Sequence, residues 1–515
     1  MPDMNNSISV ILPGVVIAGT ALLVFLVDMF VGRRKEILAW IAAAGLVAAA
    51  AVAIGQWASV DSAGSLWDYL SGRGSILFSG RQPESGFASM VALDKFALYC
   101  TLLFCVVGVL TIMLSDAYMK KRREAMGEFY GLLLLIIAGM FGMAVSIDLI
   151  ALFVAFELMS LPTYVLAGFL RGDERSGEAS IKYFVNGAFS SAILLFGLTL
   201  LYAASGQTNY ASIAASLSNL GADAVSGLTI VALVFVVVGF GFKISAVPFH
   251  GWAPDVYEGA PTPVTAFMSV GVKAGAFVGF LKLFMIAGLG VADIWTAALT
   301  VLAVLTMVVG NALALPQRNL KRMLAYSSIA HAGYLLLGLI AAGRSLDSSG
   351  SSAVLFYLGA YAFMNLGAFG ILVWIRNRRR FSYGLDEIAG LGRSMPWAAI
   401  AMTLFMVSLT GIPPTVGFWG KFYLFTAVVD AGLTWLAIVA VIMSSVSAYY
   451  YLRVVWYMYF REAPEGAAVE ADDAGPALGA ATAVTLAALG VLVLGLYPSP
   501  LISAAQGALR VIIGG

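Results

Sequence analysis

The 515-residue chain is 61% hydrophobic and only 11% charged, where a soluble domain carries roughly 25% charged residues, and its mean hydropathy is +0.93. A formal net charge of +1 gives it no electrostatic hold on nucleic acid or on an acidic partner. Apolar runs of about 20 residues recur along its length, which excludes one large soluble core and predicts an all-α polytopic membrane protein.

The N terminus, MPDMNNSISVILPGVV, has no basic region and no convincing cleavage site, so the first span is expected to be retained. Fourteen spans are expected, at 8–31, 37–58, 94–115, 129–146, 148–170, 178–203, 228–249, 262–286, 295–315, 319–341, 353–375, 398–429, 433–460 and 480–506. The stretch 398–429 is too long for one straight crossing. Cys100 and Cys105 lie five apart in the third span, a spacing that suits neither a disulfide nor a metal site, and they read as packing thiols.

Basic residues in alternate loops set the orientation. Most of the 29 basic residues fall in one set of loops: Arg33 to Lys35, Lys120 to Arg123, Arg171 and Arg175, Arg318 with Lys321 and Arg322, Arg376 with Arg378 to Arg380 and Arg393, and Arg461. The opposite set holds Arg73, Arg81, Lys95, Arg344 and Arg510. The asymmetry places both termini on the outer side. Lys282 and Arg453 lie near span ends, where a long side chain snorkels to the interface, and an anchoring role is expected for them.

Four charges remain near the centres of spans: Glu157 in the fifth, Lys243 in the seventh, Lys273 in the eighth and Lys421 in the twelfth. Each costs roughly 2.5–3.5 kcal/mol on insertion scales. A set of structural ion pairs would need more than one carboxylate for several amines. Desolvation and mutual repulsion both disfavour the charged form of such amines, and a nearby carboxylate restores it, so moving that carboxylate switches the lysine. Polar residues accompany the charges at helical spacing: Lys182, Asn186, Ser190; Thr265, Ser269, Lys273; Tyr357, Tyr361, Asn365; and Ser327 four before His331. Together they suggest a shared hydrated interior rather than isolated helix–helix contacts. His331 is suited to bridging lysines or to a satisfied core position, and His250 to proton intake or to bonding a loop carbonyl. Two histidines so far apart argue against a metal site.

The seventh span breaks at Pro248, in GFGFKISAVPFHGW, and the twelfth at Pro413 and Pro414, in SLTGIPPTVGFWGKF. Each break frees backbone groups beside a lysine, which protein or cavity water must satisfy. Spans four to eight and nine to thirteen form two groups of five whose fourth member is broken and lysine-bearing. An odd number of crossings inverts one group relative to the other, the plan of transporters with broken helices. The chain is therefore divided into three N-terminal helices (1–127), a first five-helix repeat (128–290), an inverted second repeat (291–461), and an acidic loop with helix fourteen (462–515).

From DLIALFVAFELMSLPTYVL through FKISAVPFHGWAPDVYEGAPTPVTAFMSVGVKAGA and QRNLKRMLAYSSIAHAGYLLLG to SLTGIPPTVGFWGKFYLF, the chain resembles the antiporter-like subunits of respiratory complex I. The resemblance covers spans four to thirteen. It implies a glutamate–lysine pair at Glu157 and Lys243, a further lysine at Lys182, a central lysine at Lys273, a histidine at His331 and a terminal lysine at Lys421, acting together as a proton relay. Lysine rather than glutamate at 421 is unlike subunit M, and the short stretch after span fourteen is unlike subunit L with its lateral helix. The outside loop at 59–93 is longer than the family leads one to expect. The implied function is proton translocation coupled to quinone reduction in a bacterial inner membrane, beside neighbouring antiporter-like and small membrane subunits. The sequence has no dinucleotide fingerprint, no Fe–S cysteine set and no haem motif, so no cofactor is expected in this chain, and FMN, Fe–S clusters and quinone are expected in partner subunits. The alternatives are an Mrp-type cation/proton antiporter subunit, the homologous subunit of a membrane-bound hydrogenase or plastoquinone-reducing complex, and a scaffold that moves no protons.

Overall fold

The computed structural model describes residues 4–32, 35–60, 84–87, 89–122, 126–219, 227–345, 348–378, 381–462 and 478–513. Arg33, Arg34, Arg73, Arg81, Arg123, Arg379, Arg380, most of the 59–93 loop and nearly all of 462–476 lie outside them. Among the described residues, twelve helices are long and apolar enough to cross a membrane. They begin with α1 (Met4–Val31), α2 (Glu36–Val60), α3 (Lys95–Arg122), α4 (Met126–Val145), α5 (Leu149–Ala167) and α6 (Glu174–Ser205). The seventh span is split into α7 (Gly227–Lys243) and the eight-residue α8 (Trp252–Gly259). Next come α9 (Thr262–Ile286), α10 (Ala292–Ala314), α11 (Leu320–Ser345) and α12 (Ser349–Arg378). The twelfth span is split into α13 (Pro396–Thr410) and α14 (Val416–Asp430), and is followed by α15 (Thr434–Phe460), α16 (Leu478–Leu496) and α17 (Ser499–Ile513). A small antiparallel pair, Glu84–Gly86 with Val91–Leu93, precedes α3.

Local chemistry sets the ends of these helices. Asp148 accepts from the backbone N–H of Ile150 at 2.8 Å to start α5, Asp173 accepts from Arg175 at 3.1 Å to start α6, and left-handed Gly206 closes α6. The last apolar stretch departs from the single span expected at 480–506. It is cut at Tyr497–Pro498, because Pro498 and Pro500 cannot donate to a continuing helix, and α17 starts afresh.

Depth in the bundle follows hydropathy on both faces. α9 and α11 are buried along their full apolar windows, whereas α1, α2, α6, α15 and α16 turn residues such as Leu26, Phe30, Trp40, Phe189 and Trp456 outward. An apolar exterior around helices with internally satisfied backbones is the signature of a lipid-facing surface. At one end of the bundle a cavity of about 720 Å³ gathers Arg175, Asn319, Lys321, Arg376 and Tyr383, so the basic loops after α5, α10 and α12 share that end. The opposite end carries Asp94, Ala144 and Lys282 in contact.

That last contact corrects an expectation. Lys282 does not snorkel. Its amine and the Asp94 carboxylate are fully buried 3.1 Å apart, and the amine also donates to the Ala144 carbonyl at 2.6 Å. Asp94 in turn accepts from the backbone N–H of Ala97 at 2.7 Å, so the pair ties the start of α3 and the end of α4 to α9. Arg453 caps a helix end, donating to the carbonyls of Leu315 at 2.8 Å and Gln317 at 2.6 Å just beyond α10. Cys100 and Cys105 are free and buried.

Candidate functional site: a file of buried amines

Lys243 is the last residue of α7. The chain then turns sharply: Ser245 adopts a left-handed φ of 61°, its N–H reaches the Phe242 carbonyl at 2.9 Å, and that of Ala246 reaches Gly241 at 2.7 Å. The Val247 N–H, which has no helical partner, is met by Thr306 Oγ1 of α10 at 2.9 Å. The Lys243 amine points toward α5 and donates to Ser160 Oγ at 2.8 Å. The rings of Phe156, Tyr164 and Tyr183 surround it at 5.4, 5.0 and 5.4 Å. Cation–π attraction of this kind offsets part of the cost of a buried ammonium.

Glu157 lies one residue beyond Phe156 on the same helix, on its partly exposed side, and is not bonded to Lys243. Its Oε1 is buried and meets no donor among the described residues. The direct ion pair implied by the resemblance is thus replaced by a hydroxyl contact and an aromatic cage, with the carboxylate as a neighbour. Lys182 also stands apart. Its amine is partly exposed and held by Glu178 at 2.6 Å and Asp255 at 3.0 Å. Asn186 faces outward and bonds its own helix at the Lys182 carbonyl, while Ser190 meets the Gly239 carbonyl on α7. The i, i+4, i+8 stripe drifts about 40° per step on a helix at 100° per residue, so on the peripheral α6 its members do not share one face: Lys182 is partly exposed, Asn186 is exposed and only Ser190 is buried.

Lys273 follows a π-helical turn, Met268–Val272, inside α9. Its amine donates to Ser328 Oγ at 2.6 Å and to the Ser328 carbonyl at 2.8 Å, both on α11. One turn further, His331 places Nδ1 2.5 Å from Tyr357 Oη and Nε2 3.0 Å from Tyr451 Oη, and Tyr451 also bonds Ser327. Asn365 reaches Ser269 Oγ at 2.7 Å, joining the polar stripes of α12 and α9. Lys421 sits in the first turns of α14, donating to the Thr410 carbonyl and to Ser444 Oγ, both at 2.8 Å, with the Tyr334 ring 5.1 Å away. Tyr334 lies between His331, ring to ring at 5.7 Å, and this amine.

Lys273 and His331 thus meet at adjacent turns of α11, where Ser328 holds the amine, and the Tyr334 ring lies between His331 and Lys421. Beyond the cage, Tyr183 stacks on Trp252, whose ring meets Tyr257 edge-on at 6.0 Å. The buried hydroxyls of Tyr183, Ser191, Ser245, Tyr257 and Tyr361 find no partner among the described residues. Buried polar atoms of this kind call for ordered water. His250 lies in the seventh-span break, half-buried, and its carbonyl accepts from Ala253 at 3.0 Å. Sequence pattern did not single out Ser160, Ser328, Tyr451 or Ser444, although each touches a charged or titratable group of the file.

The architecture is a polytopic helical bundle with two broken lysine-bearing spans and buried amines and an imidazole in its interior. The family model described as "NADH:quinone oxidoreductase/Mrp antiporter, TM" matches residues 146–447. The chain is 42% identical over 507 residues to NADH-quinone oxidoreductase subunit N of Trichlorobacter lovleyi, covering 98% of each. It is 45% identical over 446 residues to that of Myxococcus xanthus, covering 81% of this chain and 85% of the relative. A chain in respiratory complex I from Thermus thermophilus superposes with a TM-score of 0.73 at 32% identity, covering 95% of this chain and 98% of that one. A chain of the Mrp complex from Dietzia sp. DQ12-45-1b gives a TM-score of 0.79 at 22% identity over 99% and 98%, a likeness of fold alone. The chain belongs to the NADH-quinone oxidoreductase subunit N family.

Proposed function

We propose that this chain is the antiporter-like, proton-translocating membrane subunit N of a bacterial NADH:quinone oxidoreductase, a multisubunit respiratory complex, and that its file of buried amines carries the proton. One observation carries the relay reading: the amines of Lys273 and Lys421 and the imidazole of His331 are buried in one interior, each bonded to hydroxyls of α11, α12 or α15, with the Tyr334 ring between His331 and Lys421. FMN, Fe–S clusters and quinone belong to partner subunits, which do the electron transfer to which this chain is coupled. Spans four to eight and nine to thirteen act as the two inverted halves. The complex lies in the inner membrane, with the basic-loop end facing the cytoplasm and both termini outside.

In this reading Lys243 loads from the basic-loop end. The carboxylate of Glu157 stabilises the ammonium when it approaches and releases it when it withdraws. The proton passes by water and tyrosine hydroxyls to Lys273, then by His331 to Lys421, which discharges to the outer side. Lys182, carboxylate-bound and partly exposed, stands at the mouth of the file. Moving one charge against 100 mV takes about 2.3 kcal/mol, which sets the least coupling each cycle must deliver. The test is proton uptake into liposomes containing the purified complex with Lys243→Ala or Glu157→Ala. Assembled complex whose coupled NADH oxidation and pumping equal the unaltered complex would leave the chain a scaffold. Sodium-dependent transport with neither NADH nor quinone present would favour the antiporter alternative, and co-purification with a hydrogenase or plastoquinone-reducing assembly the remaining one.

A further inference from the structure

α8 is only eight residues long, yet each of its ends is fastened to a different part of the file. At its start, Trp252 stacks on Tyr183 at 4.4 Å and 12°, and its Nε1 donates to the Phe242 carbonyl at 3.1 Å, next to Lys243. Tyr183 is one of the rings around the Lys243 amine. Its other end is held by the first turn of α11. Arg322 Nη1 donates to Asp255 Oδ1 at 2.7 Å and Glu258 Oε2 at 3.0 Å, and Asn319 reaches Glu258 Oε1 at 3.3 Å. Lys321 donates to the carbonyls of Glu258 at 2.9 Å and Ala260 at 2.7 Å, closing the helix end whose carbonyls have no partner within the helix. Asp255 is shared, its second oxygen accepting from Lys182 of α6.

We propose that α8 is a strut between the two amine sites, and that Asp255, Glu258 and Arg322 are positioning residues through which the charge on Lys243 sets the placement of Ser328 and His331 on α11. This rests on the relay reading above. When Lys243 loses its proton, the attraction between its ammonium and the three rings is lost, and Tyr183 and Trp252 are freed to repack. Trp252 belongs to α8, so that repacking is delivered to the carboxylates at the far end. There Arg322 bridges two of them, and a displaced α8 pulls on the first turn of α11. Ser328 lies six residues further along the same rigid helix, about 9 Å at 1.5 Å per residue. Lys182 anchors the strut to α6, which gives that partly exposed lysine a part in the cycle although it lies outside the buried file.

A plain staple would hold the halves together without caring which protonation state Lys243 is in, and the two roles separate by experiment. The complex carrying Arg322→Gln, Asp255→Asn or Arg322→Lys is purified and placed in sealed liposomes beside Lys243→Ala. Protons taken up per NADH oxidised are measured together with electron transfer in the presence of an uncoupler. Arg322→Gln and Asp255→Asn are expected to lower the proton-to-NADH ratio by the same fraction as Lys243→Ala, with uncoupled electron transfer kept within twofold. Arg322→Lys, which keeps the charge but cannot span both carboxylates as well, is expected to restore at least half of the loss. Assembled Arg322→Gln and Asp255→Asn complexes with an unaltered ratio, while Lys243→Ala lowers it, would overturn the strut alone. An unaltered ratio in Lys243→Ala as well would remove the relay from beneath it. Loss of assembly in all three strut variants would assign these residues a structural role only, and would likewise overturn the proposal.

Discussion

The two broken spans solve one problem in opposite ways. At the first break, the freed backbone is satisfied without the lysine: Phe242 accepts from Trp252 and Ser245, and the N–H of Val247 goes to Thr306. Lys243 turns its amine outward from the break onto one hydroxyl and three rings. At the second, the lysine is itself the cap. Lys421 folds back from α14 to the carbonyl of Thr410, the last residue of α13. Gly411 takes a φ of 91° there, and a Cβ on it would meet the Lys421 side chain at 2.9 Å; a Cβ on Gly417 would run into the Ser408 carbonyl. The lesson concerns what a change of charge disturbs. Discharging Lys243 alters a cage of side chains, whereas discharging Lys421 weakens a helix end, because a charge-assisted hydrogen bond is roughly twice as strong as a neutral one.

Lys282 supplies the reference, a buried lysine that already has its carboxylate. Removing one partner of such a pair is expected to cost about 3–5 kcal/mol. Lys282→Met should therefore lower the thermal unfolding midpoint and yield of the complex, and Asp94→Leu added to it should recover part of the loss. A destabilised Lys282→Met complex that still pumps its normal number of protons per NADH would separate clamp from relay. Lys243→Met and Lys421→Met should both reduce coupled NADH oxidation by roughly tenfold, about 1.4 kcal/mol of barrier. Only Lys421→Met should also lower assembly, since it takes the shorter of two donors from the Thr410 carbonyl and leaves it the Ser444 hydroxyl at 3.4 Å. Equal assembly yields for the two would erase the distinction between cage and cap. Next in size, Ser160→Ala removes the one hydroxyl partner of Lys243 found among the described residues and should cost about 1 kcal/mol, roughly fivefold in rate. Ser444→Ala leaves Lys421 its backbone acceptor and should cost less in the same coupled-rate assay.

Much of this was legible in the chain because the membrane simplifies the code. A charge amid apolar residues cannot be hidden, so Lys243, Lys273 and Lys421 stand out, and proline marks both breaks. What stayed hidden has physical reasons. Ser160 returns its hydroxyl to the Phe156 carbonyl four residues back at 2.6 Å, the ordinary habit of serine in a helix, and nothing in the pattern reveals that it also accepts from Lys243. Lys282 lies near the end of an apolar run, which suggested the interface; its burial depends on Asp94, brought in by the fold from before α3. Asp255 and Glu258 sit in a stretch that reads as a loop, and their purpose appears only once α11 is packed beside it. Depth along one helix is written in hydropathy, but which face meets which neighbour is not.

The smallest effect addresses whether the cage holds an ammonium or a neutral amine. Phe156→Leu keeps an apolar side chain of comparable bulk but deletes one of the three π faces around Lys243, and Phe156 also packs edge-on against Phe240 at 5.9 Å. A desolvated cation–π contact contributes about 0.5–2 kcal/mol, so the coupled rate should change by a few-fold if the amine is charged while it waits. A neutral amine has no such attraction to lose, and the substitution would then act only through packing. Tyr334→Leu beside Lys421 is the matching change, and it should matter less for charge, because two hydrogen bonds rather than rings hold that amine. If the two substitutions slow coupled NADH oxidation equally, the contrast between an aromatic cage and a backbone cap fails, and both lysines are held in the same way.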